Sequence, residues 1–531
     1  MSVEVKVEER LAPPPLEIQQ EVVAKATALI ALGNILSRVL GLGREIILSN
    51  LFGASAAVDA FKIAIIIPRG LYDLLIGGHV NSALVPVLSE YAARRDEANL
   101  WALVNALLSL CVLVMSLLVL VLTSFAPALV RLIASPLANP QTLEDATHLL
   151  QITAPALFFL ALFAVLSSLL YAMQKFSAPA LAASVFNLTI IGVTALFAQR
   201  WGITAVAFGW LAGAFVQMVL QVWGLRYESL RWRVRLWHSG IPKIGLLYAP
   251  VMFSLALDVL VNRPFSYNLA ARTGEGNIAY MDWATTLIQF PHGLVATAIS
   301  VAVLPTLARQ AALHLGAFKD TLGLGLRLTL ALIAPASVGL FVFATPIVAL
   351  IFEHGAFTAY DTDRTALALR LYLLGLPFAS LDLLLVFAFY ARQDTLTPAL
   401  IGLFSLGVYM VTALVLLPRY GFFALMLADS MKHIVHAGVS WWFLMRRVEG
   451  LRGQRLLSTG LKASFAALLM GLLGAGLLVF LRHWFAAHTL SNELVLVLGA
   501  GGLSGAFYLF LAHQLGLREV TLFFQQIRQR L

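Results

Sequence analysis

The chain has 531 residues, of which 60% are hydrophobic and 12% charged, with a mean hydropathy of +0.87; a soluble globular protein carries about 25% charged residues, so that class is excluded. The net charge of +9 suggests nucleic acid, but the basic residues cluster in short loops between apolar runs, which is the positive-inside pattern of a membrane protein and not a nucleic-acid surface. The single cysteine, Cys111, excludes an intramolecular disulfide and any Cys-based metal site.

Residues 1–23 are expected to form a cytoplasmic tail. Glu4, Glu8 and Glu9 stand where a cleavable signal peptide would have a basic start followed by an apolar run. Apolar runs of roughly 20 residues, enough to span a bilayer, are then predicted near 24–49, 58–91, 100–134, 144–173, 177–199, 202–225, 242–271, 277–310, 319–352, 364–392, 396–417, 421–445, 459–482 and 490–515. This is an all-α polytopic membrane protein of about fourteen helices. The runs are too long for the roughly 10-residue alternating strands of a membrane barrel.

Alternate loops set the orientation. One set holds Arg94 and Arg95; Lys175; Arg226, Arg231, Arg233, Arg235 and Lys243; Arg309 and Lys319; Arg392; and Arg446, Arg447, Arg452, Arg455 and Lys462, with Arg518, Arg528 and Arg530 in the C-terminal tail. The opposite set holds only Arg200, Arg272, Arg364, Arg419 and Arg482. Both termini are therefore expected in the cytoplasm.

The chain also repeats itself. Tyr171-Ala-Met-Gln-Lys-Phe-Ser-Ala-Pro179-Ala-Leu returns as Tyr390-Ala-Arg-Gln-Asp-Thr-Leu-Thr-Pro398-Ala-Leu, and Ala-Leu-Val-Pro86 returns at the same offset as Ala-Val-Leu-Pro305. Asp59 with Pro68-Arg69-Gly-Leu returns a few residues later than that offset, as Asp282 with Pro291-His292-Gly-Leu. The repeat divides the chain into an N-lobe of six helices (24–230) and a C-lobe of six (241–448), joined by the basic loop 226–243. An extra helix pair (459–515) and a cytoplasmic tail (516–531) follow. An even helix number per half makes these parallel repeats about an axis along the membrane normal, a common build for transporters.

Ionisable residues inside the spans mark the candidate site, because each costs about 2.5–3.5 kcal/mol at a helix centre. The first span carries Asn34, Arg38 and Arg44 among Gly33, Gly41 and Gly43, and the second carries Asp59, Lys62, Arg69, Asp73 and His79. Three arginines in the first two spans suggest a cationic cavity. The planar guanidinium suits phosphate. The seventh span carries Asp258, Asn262, Arg263 and Pro264, the eighth Asp282 and His292, the tenth Asp382, and the twelfth Asp429, Lys432, His433 and His436. Asp59 and Lys62 lie near a helix end, where snorkelling is the competing reading. Asp429, Lys432, His433 and His436 fall at helical spacing and are expected to pair within the bundle. Pro68, Pro155, Pro264, Pro291 and Pro377 interrupt spans, and Pro264 beside Arg263 is the candidate hinge. No Walker A loop, His-Glu-x-x-His or Gly-x-Ser-x-Gly occurs. No enzyme activity, cofactor or metal site is assigned, and transport is expected to draw on a sodium or proton gradient or the membrane potential.

Ser37-Arg38-Val-Leu-Gly-Leu-Gly-Arg44-Glu, Leu51-Phe-Gly-Ala, Asp59-Ala-Phe, Ala83-Leu-Val-Pro86, Gly355-Ala-Phe-Thr358 and Phe389-Tyr-Ala-Arg392-Gln-Asp-Thr-Leu-Thr-Pro398 resemble the MurJ/MviN lipid II flippases of the multidrug/oligosaccharidyl-lipid/polysaccharide exporter superfamily. The resemblance runs from about residue 27 to the end. It implies two six-helix lobes with two extra helices in the bacterial inner membrane, and movement of undecaprenyl-pyrophosphate-linked peptidoglycan precursor (lipid II) from the inner to the outer leaflet. Two family arginines fall on Arg38 and Arg44, and the family aspartate of the second helix on Asp59. The chain departs from the family where Pro68-Arg69-Gly-Leu-Tyr72-Asp73 replaces Pro-Asn-Leu-Leu-Arg-Arg, Gly77-Gly78 replaces Glu-Gly, and Asp282-Trp283 replaces Asp-Arg.

On this reading Arg38, Arg44 and Arg69 hold the pyrophosphate, Arg263 closes over it, and Asn34, Asp59 and His79 complete the substrate site. The isoprenoid tail stays in an apolar groove beside the extra helix pair, and the protein acts as a monomer. Asp258, Asp382 and Asp394 are the ion-coupling candidates, with an Asp258–Arg263 salt bridge as the competing reading of the first. The alternatives are a cation-coupled multidrug or other lipid-linked oligosaccharide exporter, which would want acids in an aromatic cavity, and a non-transporting scaffold for envelope assembly.

Overall fold

The computed structural model describes residues 16–75, 79–93, 96–134, 139–228, 232–245, 256, 258–448, 450–451, 453–485 and 489–520. In lipid every backbone N–H and C=O must find a partner within its own segment, and these runs accordingly become helices. In chain order they are α1 (Leu16–Phe52), α2 (Ala56–Leu75), α3 (His79–Ala93), α4 (Glu97–Ser124), α5 (Ala126–Ile133), α6 (Pro140–Thr153), α7 (Ala156–Ala172), α8 (Ser177–Trp201) and α9 (Thr204–Gly224). The second half supplies α10 (Arg263–Ala271), α11 (Asn277–Pro291), α12 (Ala298–Leu313), α13 (Leu315–Val342), α14 (Ala344–Phe352), α15 (Ala359–Leu373), α16 (Leu376–Ala391), α17 (Leu396–Tyr420) and α18 (Phe423–Arg447). The last elements are α19 (Leu456–Trp484), α20 (Leu490–Leu494) and α21 (Gly501–Gln514). No strand occurs among the described residues.

All fourteen predicted segments contain helix, but among the described residues nine helices are long and apolar enough to cross a membrane, or ten if the bent pair α15–α16 is one span. The charged and polar residues of α1, α2 and α18 reduce their apolar character, and the seventh segment is described only at 242–245, at 256 and from 258.

Three π turns occur among the described residues; one, over Val495–Ala500, joins α20 to α21 without a proline, and prolines mark the other two and the main bend. A π turn over Asp258–Asn262 precedes Pro264, and another over His292–Thr297 follows Pro291. Pro377 opens α16 at a 44° bend from α15. Each proline lacks the N–H that a regular turn would use.

The repeat is visible in the backbone. Gln174 (φ 57°) and Gln393 (φ 59°) take the left-handed conformation after α7 and α16. Lys175 N–H then donates to Leu170 O (2.8 Å), and Asp394 N–H to Phe389 O (3.0 Å). These are matching six-residue helix closures. Gly202 (φ 53°) and Gly421 (φ 56°) end α8 and α17 at equivalent positions.

Two compact units form. The first comprises Met1–Ile47, Ile63–Val130 and Glu144–Val261, and the second Leu48–Lys62, Arg131–Leu143 and Asn262–Leu531. In the first, Leu84, Leu88, Leu103, Leu107, Leu169 and Leu170 build a core from α3, α4 and α7. An extended segment over 232–238 lies on α4, where Asn105 and Ser109 accept the N–H groups of Arg233 (3.2 Å) and Arg235 (3.1 Å). His238 ends it, buried against Tyr91. Burial, reinforced by Arg235, holds its imidazole below the ordinary histidine range.

In the second unit, Phe318, Leu322, Leu326, Leu384, Ala388 and Phe389 pack α13 on α16. The extra pair docks through small residues: Ala463, Ala466 and Ala467 of α19 pack with Ala331 of α13 and Tyr508 of α21. The Tyr508 hydroxyl donates to Ala331 O at 2.6 Å. Close approach through small side chains is the usual way helices associate in lipid.

Candidate functional site

In the first unit, Gly33 faces α8 so closely that a Cβ there would lie 2.1 Å from Ala180 O. Ser184 donates to Gly33 O (3.3 Å), and Asn187 reaches Ser37 O (3.4 Å). With that face of α1 fixed, Asn34 and Arg38 stand exposed one turn apart on another. Arg44 is directed into the unit. Its guanidinium donates to buried Glu45 (2.8 Å) and to Asn187 Oδ1 (3.1 Å), and lies 5.8 Å from the Trp210 ring. The sequence reading treated Arg38 and Arg44 alike; the structure gives Arg44 a set of protein partners. Arg69 is exposed after Pro68, and its neighbour Gly70 packs so tightly on Val259 of the π turn that a Cβ would lie 2.5 Å from Cγ1. The side chains of His79 and Asp258 lie outside the described residues.

In the second unit, Asp59 and Lys62 are both buried and do not snorkel. The Asp59 carboxylate accepts from Gly276 N (2.7 Å) and Ala279 N (3.0 Å), holding the first turn of α11. Each of its oxygens is engaged by a backbone amide. Lys62 Nζ lies 3.1 Å from Asp282 Oδ2, and Tyr267 donates to Asp282 Oδ1 at 2.8 Å. Arg263 is half-buried at the start of α10, directly after Asn262 of the π turn.

A further set of polar side chains fills the layer between α10, α16, α17 and α18. Ser266 and Tyr409 share a hydrogen bond (2.7 Å), and Lys432 Nζ lies 5.6 Å from the Tyr409 ring. Lys432 pairs with Asp429 (2.6 Å), and His433 lies 3.6 Å from the other Asp429 oxygen. His436 turns instead to Asp382, with Nδ1 2.7 Å from Oδ1. Helical spacing predicted pairing within α18, and Asp429, Lys432 and His433 do pair; the reach of His436 to α16 was not legible. Asp394 accepts from Thr397 N (3.0 Å) and is bound by Arg447. It closes the turn into α17. Among the described residues no three His, Cys, Asp or Glu side chains are grouped to hold a metal ion.

Two sequence motifs acquire a role that spacing alone did not reveal. Gly53 (φ 59°) lies so close to Ala356 that a Cβ would be 2.5 Å from its carbonyl oxygen, and a Cβ on Gly355 (φ 61°) would lie 2.0 Å from Asn50 Oδ1. Ala356 N–H donates to Asn50 O at 2.8 Å. Thus Leu51-Phe-Gly-Ala and Gly355-Ala-Phe-Thr358 clasp one another inside the second unit. Phe357 continues inward onto Trp283 (5.2 Å between ring centroids), which also packs on Phe352. Trp283 is fully buried, so the position that departs from the family's cation is filled here by an aromatic cluster.

A helical bundle with several apolar spans, charged groups buried within them and a structural repeat has the build of a multi-pass membrane transporter. The fold matches a multidrug resistance MATE family transporter of the MOP superfamily in an inward-facing conformation, with a TM-score of 0.65 at 15% identity over 78% of this chain and 95% of that one. It matches "Lipid II flippase MurJ, inward closed conformation" with a TM-score of 0.75 at 26% identity, over 91% of this chain and 98% of that one. The family model described as lipid II flippase MurJ matches residues 48–496. The lipid II flippase MurJ of Burkholderia cenocepacia is 31% identical over 397 residues, 72% of this chain and 75% of that protein. The probable lipid II flippase MurJ of Bdellovibrio bacteriovorus is 29% identical over 482 residues, 88% and 90% of the two chains. The chain belongs to the MurJ lipid II flippase family.

Proposed function

We propose that this protein is a flippase that moves lipid II from the inner to the outer leaflet of the bacterial cytoplasmic membrane by alternating access. The observation that carries this reading is the family match across residues 48–496. Desolvating a diphosphate in an apolar bundle requires paired cations, and the exposed Asn34–Arg38 face and exposed Arg69 support a pyrophosphate site in the first half. Arg44 then positions α1 through Glu45 and Asn187, Asp59 positions α11, and Arg263 and His79 are further candidates for the substrate.

The tail reading is supported by an apolar cleft of about 240 Å³ bordered by α13, α16 and α19, with Leu330, Ile333, Val338, Leu381, Ala467 and Leu468 on its walls. Residues 24–230 and 241–448 serve as the two moving lobes, with Pro264 as a hinge, and 459–515 as the tail platform. The stretches 1–23 and 516–531 lie in the cytoplasm. The protein works as a monomer, catalyses no covalent step and takes no nucleic acid. An ion gradient or the membrane potential drives it, with Asp258 and Asp382 as the coupling carboxylates. Asp394 is withdrawn from that role by Arg447.

The test is reconstitution in vesicles with fluorescent lipid II, run beside efflux of a cationic drug. Movement of lipid II without drug efflux is expected. Drug efflux without lipid II movement would overturn the reading in favour of a multidrug exporter.

A further inference from the structure

The second half holds a buried ion-pair position that the first half lacks. Asp382 Oδ1 on α16 lies 2.7 Å from His436 Nδ1 on α18, and Ser440 Oγ lies 3.3 Å from the same nitrogen. Their side chains are only 12% and 15% exposed. At the offset of the repeat, the corresponding first-half residues are Phe163 and Gln217. The pair is therefore not repeated in the first half.

Its surroundings define the charge balance. On α18, Lys432 offsets Asp429, with His433 on the far carboxylate oxygen. The π turn after α11 brings His292, whose Nδ1 lies 3.3 Å from Ser380 Oγ. Tyr390 is on the same helix as Asp382, and Tyr409 of α17 is bound to Ser266. The neighbouring α12 and α13 present Val303, Leu304, Leu307, Leu322 and Leu326, all apolar. Arg327 and Asp320 of α13 are held elsewhere, by Glu519 and Gln454.

Asp382 and His436 sharing one proton are neutral as a pair. Loss of that proton leaves a net negative charge inside a span, at a cost of about 2.5–3.5 kcal/mol. The other ring nitrogen, His436 Nε2, faces Gly402 of α17, where an added Cβ would meet it at 3.8 Å. Imidazole can accept at one nitrogen while it donates from the other. A ring nitrogen against Oδ1 also suits a proton better than an alkali cation, which is a hard ion and takes oxygen ligands.

We propose that Asp382 and His436 form a proton-binding site that couples substrate movement to a proton gradient. This rests on the transporter reading above and names its coupling ion. Only O–H and N–H bonds form and break: the proton is bound from one side of the membrane and released to the other.

Two measurements on the full chain test it. The first is an infrared pH titration of protein carrying labelled aspartate. It should show a buried carboxyl that vanishes in Asp382→Asn and whose midpoint moves about tenfold in proton concentration in His436→Gln. An unmoved midpoint, or one that shifts in the unaltered protein when sodium is added, would overturn the proton site. The second is lipid II movement in vesicles under an imposed pH gradient. The unaltered protein should respond, and Asp382→Asn should move lipid II at a rate indifferent to the gradient. An undiminished response in Asp382→Asn also overturns the proposal. If no lipid II moves under any gradient while the titration behaves as expected, the substrate reading fails and the proton site stands.

Discussion

Arg38 and Arg44 share one helix but meet different surroundings. The consequence is that they fail differently. Arg38→Ala should abolish lipid II movement in vesicles with little change in melting temperature, because its side chain is exposed. Arg38→Lys should restore part of the rate, since an ammonium is a point charge and cannot make the two-pronged contact of a guanidinium. A normal rate in Arg38→Ala would remove this residue from the site. Arg44→Ala removes a charged partner of a buried carboxylate, Glu45, and a bond to Asn187. It should lower stability by about 1–3 kcal/mol, read as a fall in melting temperature in detergent that accompanies any loss of transport. Spacing along α1 showed both arginines in a span. It could not show which would find an acid and an amide, because Asn187 lies far along the chain on α8. The same holds for Asp59: its place at the start of a helix was evident, but the two amides it binds belong to α11.

At the scale of elements, the helices were legible because lipid leaves the backbone no other option, and the repeated Tyr171 and Tyr390 segments were legible because they share residues. Their geometry was not, since glutamine is an unusual occupant of a left-handed position. Such a conformation costs a residue with a Cβ roughly 1–2 kcal/mol. Gln174→Gly and Gln393→Gly should therefore each stabilise the protein by about 0.5–1 kcal/mol after the added flexibility of the unfolded chain is counted. Thermal melts of the two single variants would check this, and a fall in both would show that the glutamine side chains contribute more than their backbone strain costs. The breaks behaved as proline chemistry requires. Pro264 and Pro291 each adjoin a π turn, and Pro377 opens the helix beyond a 44° bend. A spare carbonyl left by a missing N–H is a local cause for each irregularity.

Across the whole molecule, the two halves share their turns but not their interiors. The second unit carries Lys62–Asp282, Asp429–Lys432 and Asp382–His436 where uniform apolar packing would have been simpler. Composition and the positive-inside pattern made the class of protein legible, and the motifs made its family legible. The compact units were not legible, because the repeat divides the chain by sequence whereas Leu48–Lys62 and Arg131–Leu143 fold with the second unit. This has a consequence for recombination between relatives. A crossover placed in the basic linker near residue 235 looks safe on paper, yet it would take Asn50 and Gly53 from one parent and Gly355 and Ala356 from the other. Backbones that approach to the point where a single methyl cannot fit must come from parents matched at all four places. Chimeras joined there should express poorly unless residues 48–62 are exchanged along with the second half, and the paired exchange should restore membrane levels. Inheritance in this protein thus follows the clasp and not the order of its helices.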